Sequence, residues 1–227
     1  RFDTIAARAA KRRIGLLIDA EESWIQQAVD DLVLKLMQKY NREQVIVYNT
    51  VQCYRHDRIR YVTQLLDQAD NKGFRAGIKI VRGAYMEKEN QRAAKMGIES
   101  PICPSKRATD ENFDAIMTFI LKKLDKHSLF IGSHNEESTL KAMNLMQELA
   151  IDRQSGKVWF GQLYGMSDHI SFNVVREGFL SLKYVPFGPV RDVMPYLIRR
   201  AEENTSVAGQ TSRELSLLLS ERKRRGI

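Results

Sequence analysis

The sequence predicts an α/β fold on a parallel sheet. Three features carry that reading. Short apolar runs alternate with longer stretches of helical period. Helix-length segments, not tight turns, separate the runs, which is the mark of successive βαβ units. Nearly every run is followed by a polar or aromatic residue where the apolar pattern stops. At 227 residues and 43% hydrophobic, the chain can bury one sizeable core, so a single domain over 1–227 is expected.

In chain order, the expected strands are Ile14–Ile18, Val45–Tyr48, Ala76–Val81, Leu129–Ile131, Val158–Gln162 and Leu182–Val185. Amphipathic stretches lie between them: Trp24–Gln38, Ile59–Lys72, Asp110–Lys126, Ser138–Leu149 and His169–Glu177. Pro189 and Pro195 are expected to bracket the start of a last major helix, Met194–Glu203. A closed eight-stranded barrel typically takes about 250 residues. Six strands therefore leave two alternatives, an open doubly wound sheet or a barrel whose first strands lie upstream of Arg1. The chain opens on Arg-Phe-Asp with no Met, signal-peptide core or transit-peptide character, so it reads as joined partway through.

Composition narrows the partners. The formal charge is +8, with basic clusters at Lys11-Arg12-Arg13 and Arg222-Lys223-Arg224-Arg225. Such a balance suits anionic partners, although a solvated basic surface is the plainer reading. Basic residues without interleaved aromatics or a reader motif do not indicate nucleic acid. Cys53 and Cys103 are the two cysteines, too few for a disulfide framework and compatible with a reducing compartment. No apolar run reaches the 18 or so residues of a membrane-spanning helix.

The residues after the strands suggest a shared pocket. They are Asp19 and Glu21, Asn49 and Gln52, Lys79, Arg82 and Tyr85, His134, Asn135 and Glu136, Tyr164, and Tyr184. One such residue would mean little, since Asp and Asn are common in loops and caps. In a parallel barrel they converge on one rim, where active sites of that fold assemble. Gly83-Ala84 just after a strand would allow backbone to approach a planar or phosphorylated ligand. No G-x-G-x-x-G follows a strand, so a dinucleotide would not bind in the usual nucleotide fold. Further along, Tyr196, Arg199, Arg200 and Glu203 share one helical face. Adjacent guanidinium groups repel unless an anion sits between them. The alternative is an ordinary Arg199–Glu203 surface pair with Arg200 in water. A rival enzyme class would use Asp19, Glu21, His134 and Glu136 as metal ligands.

The segments LLIDAEES, YNTVQCY, KIVRGAYMEKE, SHNEEST, FGQLYGMSDHISF and KYVPFGPVRDVMPYLIRRAEENTS, in this order, resemble the proline dehydrogenase family. The likeness covers nearly all of the chain. It is nearer to the single-function enzymes than to the proline utilization A fusions. It implies a distorted (βα)8 TIM-type barrel, lacking its first strands, with the last helix over the barrel mouth. It also implies FAD-dependent oxidation of L-proline to Δ1-pyrroline-5-carboxylate, by hydride transfer from proline C5 to flavin N5. Electrons would pass to a quinone, with no metal required. The location would be intracellular: a bacterial cytoplasm or inner-membrane periphery, or the mitochondrial inner membrane or matrix.

Carried residue by residue, the resemblance makes Asp19 the active-site aspartate, with Ala20 beside the flavin. Gln52 would hydrogen-bond the isoalloxazine. Lys79, where many members have an arginine, would stand near flavin N5. Arg82, Gly83 and Ala84 match the flavin-contacting turn. Lys106 matches a lysine holding the phosphate or ribose portion, and Ser133, His134 and Asn135 match a flavin-binding Thr-His-Asn stretch. Tyr85, Leu163 and Tyr184 would wall the substrate site, with Tyr184 setting the choice between proline and hydroxyproline. Tyr196, Arg199 and Arg200 would clamp the substrate carboxylate, and Glu203 would be a flavin-side partner. The family's lysine on an earlier strand has no match in the chain. Leu215, Leu217, Leu218 and Leu219 before the basic ERKRRGI end suggest peripheral membrane contact.

Overall fold

A computed structural model describes residues 1–206 and 210–226, with side chains described through position 200, at 216 and at 219–226. The chain forms two compact units, Arg1–Tyr184 and Val185–Ile227.

The first unit runs α1 (Phe2–Arg12), β1 (Leu16–Ile18), α2 (Ser23–Tyr40), β2 (Val47–Gln52), α3 (Arg58–Lys72), β3 (Gly77–Val81), α4 (Met86–Met96), α5 (Lys106–Lys122), β4 (Ser128–Gly132), α6 (Glu136–Glu148), β5 (Val158–Leu163), α7 (Asp168–Arg176) and β6 (Ser181–Tyr184). The second unit holds α8 (Val190–Ser206) and α9 (Gln210–Arg225). Among the described residues the strands form one sheet, ordered β1-β2-β3-β4-β5-β6, and every neighbouring pair is parallel. An open doubly wound sheet needs a point where the strand order reverses. No reversal occurs among these six, which removes that alternative. With right-handed crossovers, sequential order puts every connecting helix on the same face.

The other face is then left to curl on itself, and its side chains come from alternate positions of each strand. Strand β2 is buried along its whole length. Its Val47 and Val51 pack in a core with Ile78, Ile80, Leu129, Ile131 and Phe160 from the neighbouring strands. Val33, Met37, Leu66, Phe113, Ile116 and Ile120 belong to the same core from the helices.

Local chemistry sets where the elements start. Asn41 Oδ1 accepts from Ile46 N (3.0 Å) and Val47 N (2.8 Å), so ladder pairing begins after Val45, later than the sequence pattern suggests. Helix α5 starts at Lys106, ahead of the expected Asp110, because the Ser105 hydroxyl accepts from Ala108 N (3.1 Å). Helix α8 begins at Val190 and contains Pro195, so that proline lies within the helix and does not bracket its start. Helices α1 and α4 escaped the sequence reading.

One buried histidine ties the N-terminal ends of the central strands. His127 Nδ1 accepts from Ala76 N (3.0 Å), while Nε2 lies 3.5 Å from Asp70 Oδ1. Burial lowers the pKa of this imidazole below its ordinary value, against the pull of Asp70. Protonation would also disrupt the Ala76 bond. Between the two pKa values the unfolded chain binds more protons than the folded one, so the contribution is complete above about pH 6.5 and is lost as pH falls. Denaturant titrations from pH 7.5 to 5 should show stability falling, by at most about 1.4 kcal/mol per pH unit from this one group. His127→Gln should flatten that slope. An equal slope in both proteins would contradict the assignment.

Candidate active site

The C-terminal ends of the strands carry a linked set of polar groups. Just beyond β1, Asp19 Oδ1 accepts from the Thr50 hydroxyl (2.5 Å) and from Lys79 Nζ (2.8 Å). Thr50 and Lys79 are register partners on β2 and β3, which places both side chains on the same face. Lys79 Nζ lies 5.9 Å from the centroid of the Phe130 ring on β4. Phe130 in turn fills the space over Gly161 on β5, where an added Cβ would sit 2.2 Å from the ring. A layer thus crosses β2 to β5, with the ammonium aimed along it. Asn49, next to Thr50, points the opposite way. Its amide donates to Asp30 Oδ1 on α2 (2.7 Å) and to the Tyr61 hydroxyl on α3 (2.6 Å). It serves helix packing and lies outside the rim set.

The loops after β1, β2 and β3 are cross-linked. Gln52 is buried and donates its side-chain amide to Ala20 O. The Tyr54 ring covers Gly83, whose φ of 124° and 2.5 Å clearance suit no residue with a Cβ. Burial pushes the Tyr54 phenol up to about 12. Tyr85 donates to Glu21 Oε2 (2.6 Å) and Lys88 to Glu22 Oε1 (2.9 Å). The buried Glu89 receives Ser23 N (2.7 Å) and the Ser23 hydroxyl (2.6 Å) at the N-terminus of α2. A carboxylate there satisfies first-turn donors and opposes the positive end of the helix dipole. Gly83 and Ala84 remain exposed between these ties.

A second cluster follows β3 and β4. Arg82 donates through Nε to Asp110 Oδ1 (2.6 Å), through Nη1 to the Ser133 hydroxyl (3.0 Å) and through Nη2 to the Ser138 hydroxyl (2.9 Å). Its guanidinium also stacks 4.3 Å from the Phe113 ring centroid. Lys106 reaches the other Asp110 oxygen (2.6 Å) and is otherwise well exposed. Burial pushes the Asp110 carboxyl up, but hydrogen bonds from Lys106 and Arg82 outweigh it and hold the pKa below the usual range. Asn135 Oδ1 accepts from Ser138 N (2.9 Å), so its side chain caps α6. His134 Nδ1 lies 3.0 Å from the Ser167 hydroxyl. Leu163 and Tyr184 are register partners at the ends of β5 and β6, and Tyr184 is half exposed.

In the second unit, the Arg200 guanidinium lies 5.3 Å from the Tyr196 ring centroid, one turn apart on α8, while Arg199 is exposed. The side chain of Glu203 lies outside the described residues, as do those of Leu215, Leu217 and Leu218. At the end of α9, Arg224 and Arg225 both bond to Glu221, which partly neutralises the basic block. No described helix is long and apolar enough to cross a membrane.

The four candidate metal ligands are turned to separate partners. Asp19 meets Lys79 and Thr50, Glu21 meets Tyr85, His134 meets Ser167, and Glu136 meets His169 (2.7 Å). Among the described residues, no three His, Cys, Asp or Glu side chains gather where they could hold a metal ion. Thr50, Glu89 and Ser167 are among the parts of this arrangement that sequence reading missed. Strand alternation with Lys79 could have signalled Thr50, whereas the other two depend on long-range contacts.

Comparison with known proteins follows the same outline. A family model described as proline dehydrogenase matches residues 1–213. Proline dehydrogenase 1, mitochondrial, of Homo sapiens is 40% identical over 228 residues, covering 99% of this chain and 38% of that protein. Hydroxyproline dehydrogenase of Xenopus laevis is also 40% identical, over 229 residues, covering 99% of this chain and 49% of that protein. The crystal structure of proline utilization A from Bdellovibrio bacteriovorus, inactivated by N-propargylglycine, superposes with a TM-score of 0.83 at 23% identity, covering 91% of this chain and 21% of that one. That likeness shows the fold. The chain spans from 38% to 49% of the length of these two curated relatives.

Proposed function

This chain belongs to the proline dehydrogenase family, and from that premise we propose that it carries the flavin and substrate sites of an enzyme that oxidises L-proline to Δ1-pyrroline-5-carboxylate. Its six strands are read as part of a distorted (βα)8 barrel completed by strands outside β1–β6. The observation that carries the functional reading is the Asp19–Thr50–Lys79 cluster, set at the strand ends beside the exposed Gly83-Ala84 turn.

The residues present fit a planar, anionic cofactor such as FAD. Lys79, Arg82 and Lys106 supply three cations on one end of the sheet, and each keeps N–H groups beyond those used by its carboxylate. The exposed Gly83-Ala84 turn carries no large side chain of its own, with Tyr54 packed against Gly83. Lys79 would stand near the flavin ring, with Ala20, Gln52, Gly83 and Ala84. Arg82, Lys106, Ser133, His134 and Asn135 would hold the remainder, with Glu203 a further partner. When bound, FAD supplies the hydride acceptor for proline C5.

The chain's own residues orient the reactants. Lys79 is held in place by Asp19, so its charge is preorganised and needs no rearrangement during reaction. Tyr196, Arg199 and Arg200 clamp the substrate carboxylate through charge-assisted hydrogen bonds. Tyr85, Leu163 and Tyr184 wall the ring, and positioning converts a bimolecular oxidation into an oriented one. A quinone is the proposed electron acceptor, with the basic end of α9 favouring a nearby anionic membrane surface.

The experiment is purification followed by a visible spectrum and a proline–dye reduction assay. Flavin bands and proline-dependent dye reduction support the reading. A colourless protein that contains stoichiometric metal overturns it.

Identity alone does not select the substrate, because the proline and hydroxyproline relatives match equally well at 40%. Tyr184 is the proposed determinant in favour of proline, since its ring would crowd a substituent on C4 and leave a hydroxyl unpaired. In the same dye assay, Tyr184→Ser should raise the hydroxyproline-to-proline ratio of kcat/KM roughly tenfold, mostly by weakening proline. A wild-type chain that already prefers hydroxyproline would remove Tyr184 from this role.

A further inference from the structure

Ser167 occupies the N-cap position of α7 but does not cap it. A serine there normally adopts an extended backbone and accepts a hydrogen bond from the first turn of its helix. Here φ is 51° and ψ is 43°, the left-handed region, and no side-chain cap bond forms. The residue is also buried. Two other described non-glycine residues have positive φ, Arg13 and Ala150. Both are exposed and follow helix ends, where a left-handed residue is ordinary. Gly165, two positions earlier in the same loop, takes φ 75°. Glycine is thus used for one left-handed position of this loop and serine for the other.

The Ser167 hydroxyl faces His134 instead, 3.0 Å from Nδ1. The loop that carries it is held from two sides. Lys183 Nζ donates to Met166 O (2.6 Å) and pairs with Asp168 Oδ1 (2.7 Å). The His134 turn is tied to the same helix by a second route, since Ser171 donates to Gln162 Oε1 (2.7 Å) and Gln162 Nε2 donates to Ser133 O (3.2 Å). A sparsely populated backbone conformation persists where surrounding contacts over-determine it, and such residues cluster at functional sites.

We infer that Ser167 is a positioning residue whose hydroxyl donates to His134 Nδ1 and so fixes the ring plane and keeps the proton on Nε2, a role that rests on the reading of His134 as a flavin contact. A hydroxyl that donates to Nδ1 leaves the ring proton on Nε2, whereas one that accepts requires it on Nδ1, so the direction of this bond sets the tautomer.

The test uses the full chain and the variant Ser167→Gly, which relieves the left-handed backbone while removing the hydroxyl. Long-range 1H–15N NMR of the histidine rings reads the His134 tautomer without any cofactor. Fluorescence titration with FAD reads affinity. The glycine variant should keep or raise its melting temperature, lose the single-tautomer signature of His134, and bind FAD roughly tenfold more weakly, as when an outer partner of a functional histidine is lost. Ser167→Cys, which retains a weak donor, should fall between. A His134 signature that is unchanged in the glycine variant overturns the inference, as does wild-type FAD affinity beside an altered signature. If the wild-type chain binds no FAD, the cofactor reading falls, and the His134 spectrum still decides the Ser167 contact.

Discussion

The constraint on which the rest of this structure depends is the winding of its sheet. Parallel strands in sequential order, joined by right-handed crossovers, leave each strand with one end feeding a helix and one end receiving the chain. All six C-terminal ends lie at the same edge of the sheet. Residues separated by 60 positions, such as Asp19 and Lys79, then come within 2.8 Å without any long-range motif. The opposite ends carry a different kind of polar group. Asn41 and His127 close backbone donors and acceptors there, a structural role. Chemistry at one end and stability at the other is the division expected of parallel barrels.

Strand alternation sorts the rim further. At neighbouring positions of β2, Asn49 faces the helices and Thr50 faces the sheet's other side. Asn49 joins Asp30, Gln26 and Arg58 in a buried network between α2 and α3. The Arg58–Asp30 pair (3.0 Å) is almost wholly removed from water, and its partners supply the hydrogen bonds such a pair requires. Asp57 belongs to its outer edge. Burial pushes that carboxyl up, yet hydrogen bonds from Arg58 and Arg55 hold it down at about 2. On the other side, Thr50, Lys79 and Phe130 present a mixed polar and aromatic layer.

Much of this was legible from residues alone. Every expected strand corresponds to an observed one, because aliphatic runs bounded by charged helical segments admit few other readings. Asp19 and Lys79 were visible as polar residues where polarity is costly without a purpose. The less legible parts have physical causes. Helix α1 packs through small residues, with Ala6 buried while Phe2 and Ile5 are exposed, so the side chains that meet the core carry little apolar bulk. Helix α4 looks like a charged surface segment, and only contact with Ser23 reveals Glu89 as a buried carboxylate. Pro195 suggested a helix boundary, although a helix can carry proline within it when the lost bond is tolerated. Asn135 caps α6 through its side-chain oxygen, a contact that short-range sequence does not separate from the ligand role expected of it.

The central claim is that one end of the sheet is a cofactor site and the other is structural. Calorimetric titration with FAD tests it most directly when a substitution at each end is compared with the wild type. Lys79→Met keeps the length of the side chain and removes its charge from the Asp19 cluster, whereas His127→Gln acts at the far end. The account predicts stoichiometric FAD binding in the wild type, an affinity at least about tenfold weaker in Lys79→Met, the equivalent of about 1.4 kcal/mol, and wild-type affinity in His127→Gln. Equal affinity in the wild type and Lys79→Met, or equal losses in both variants, would contradict it.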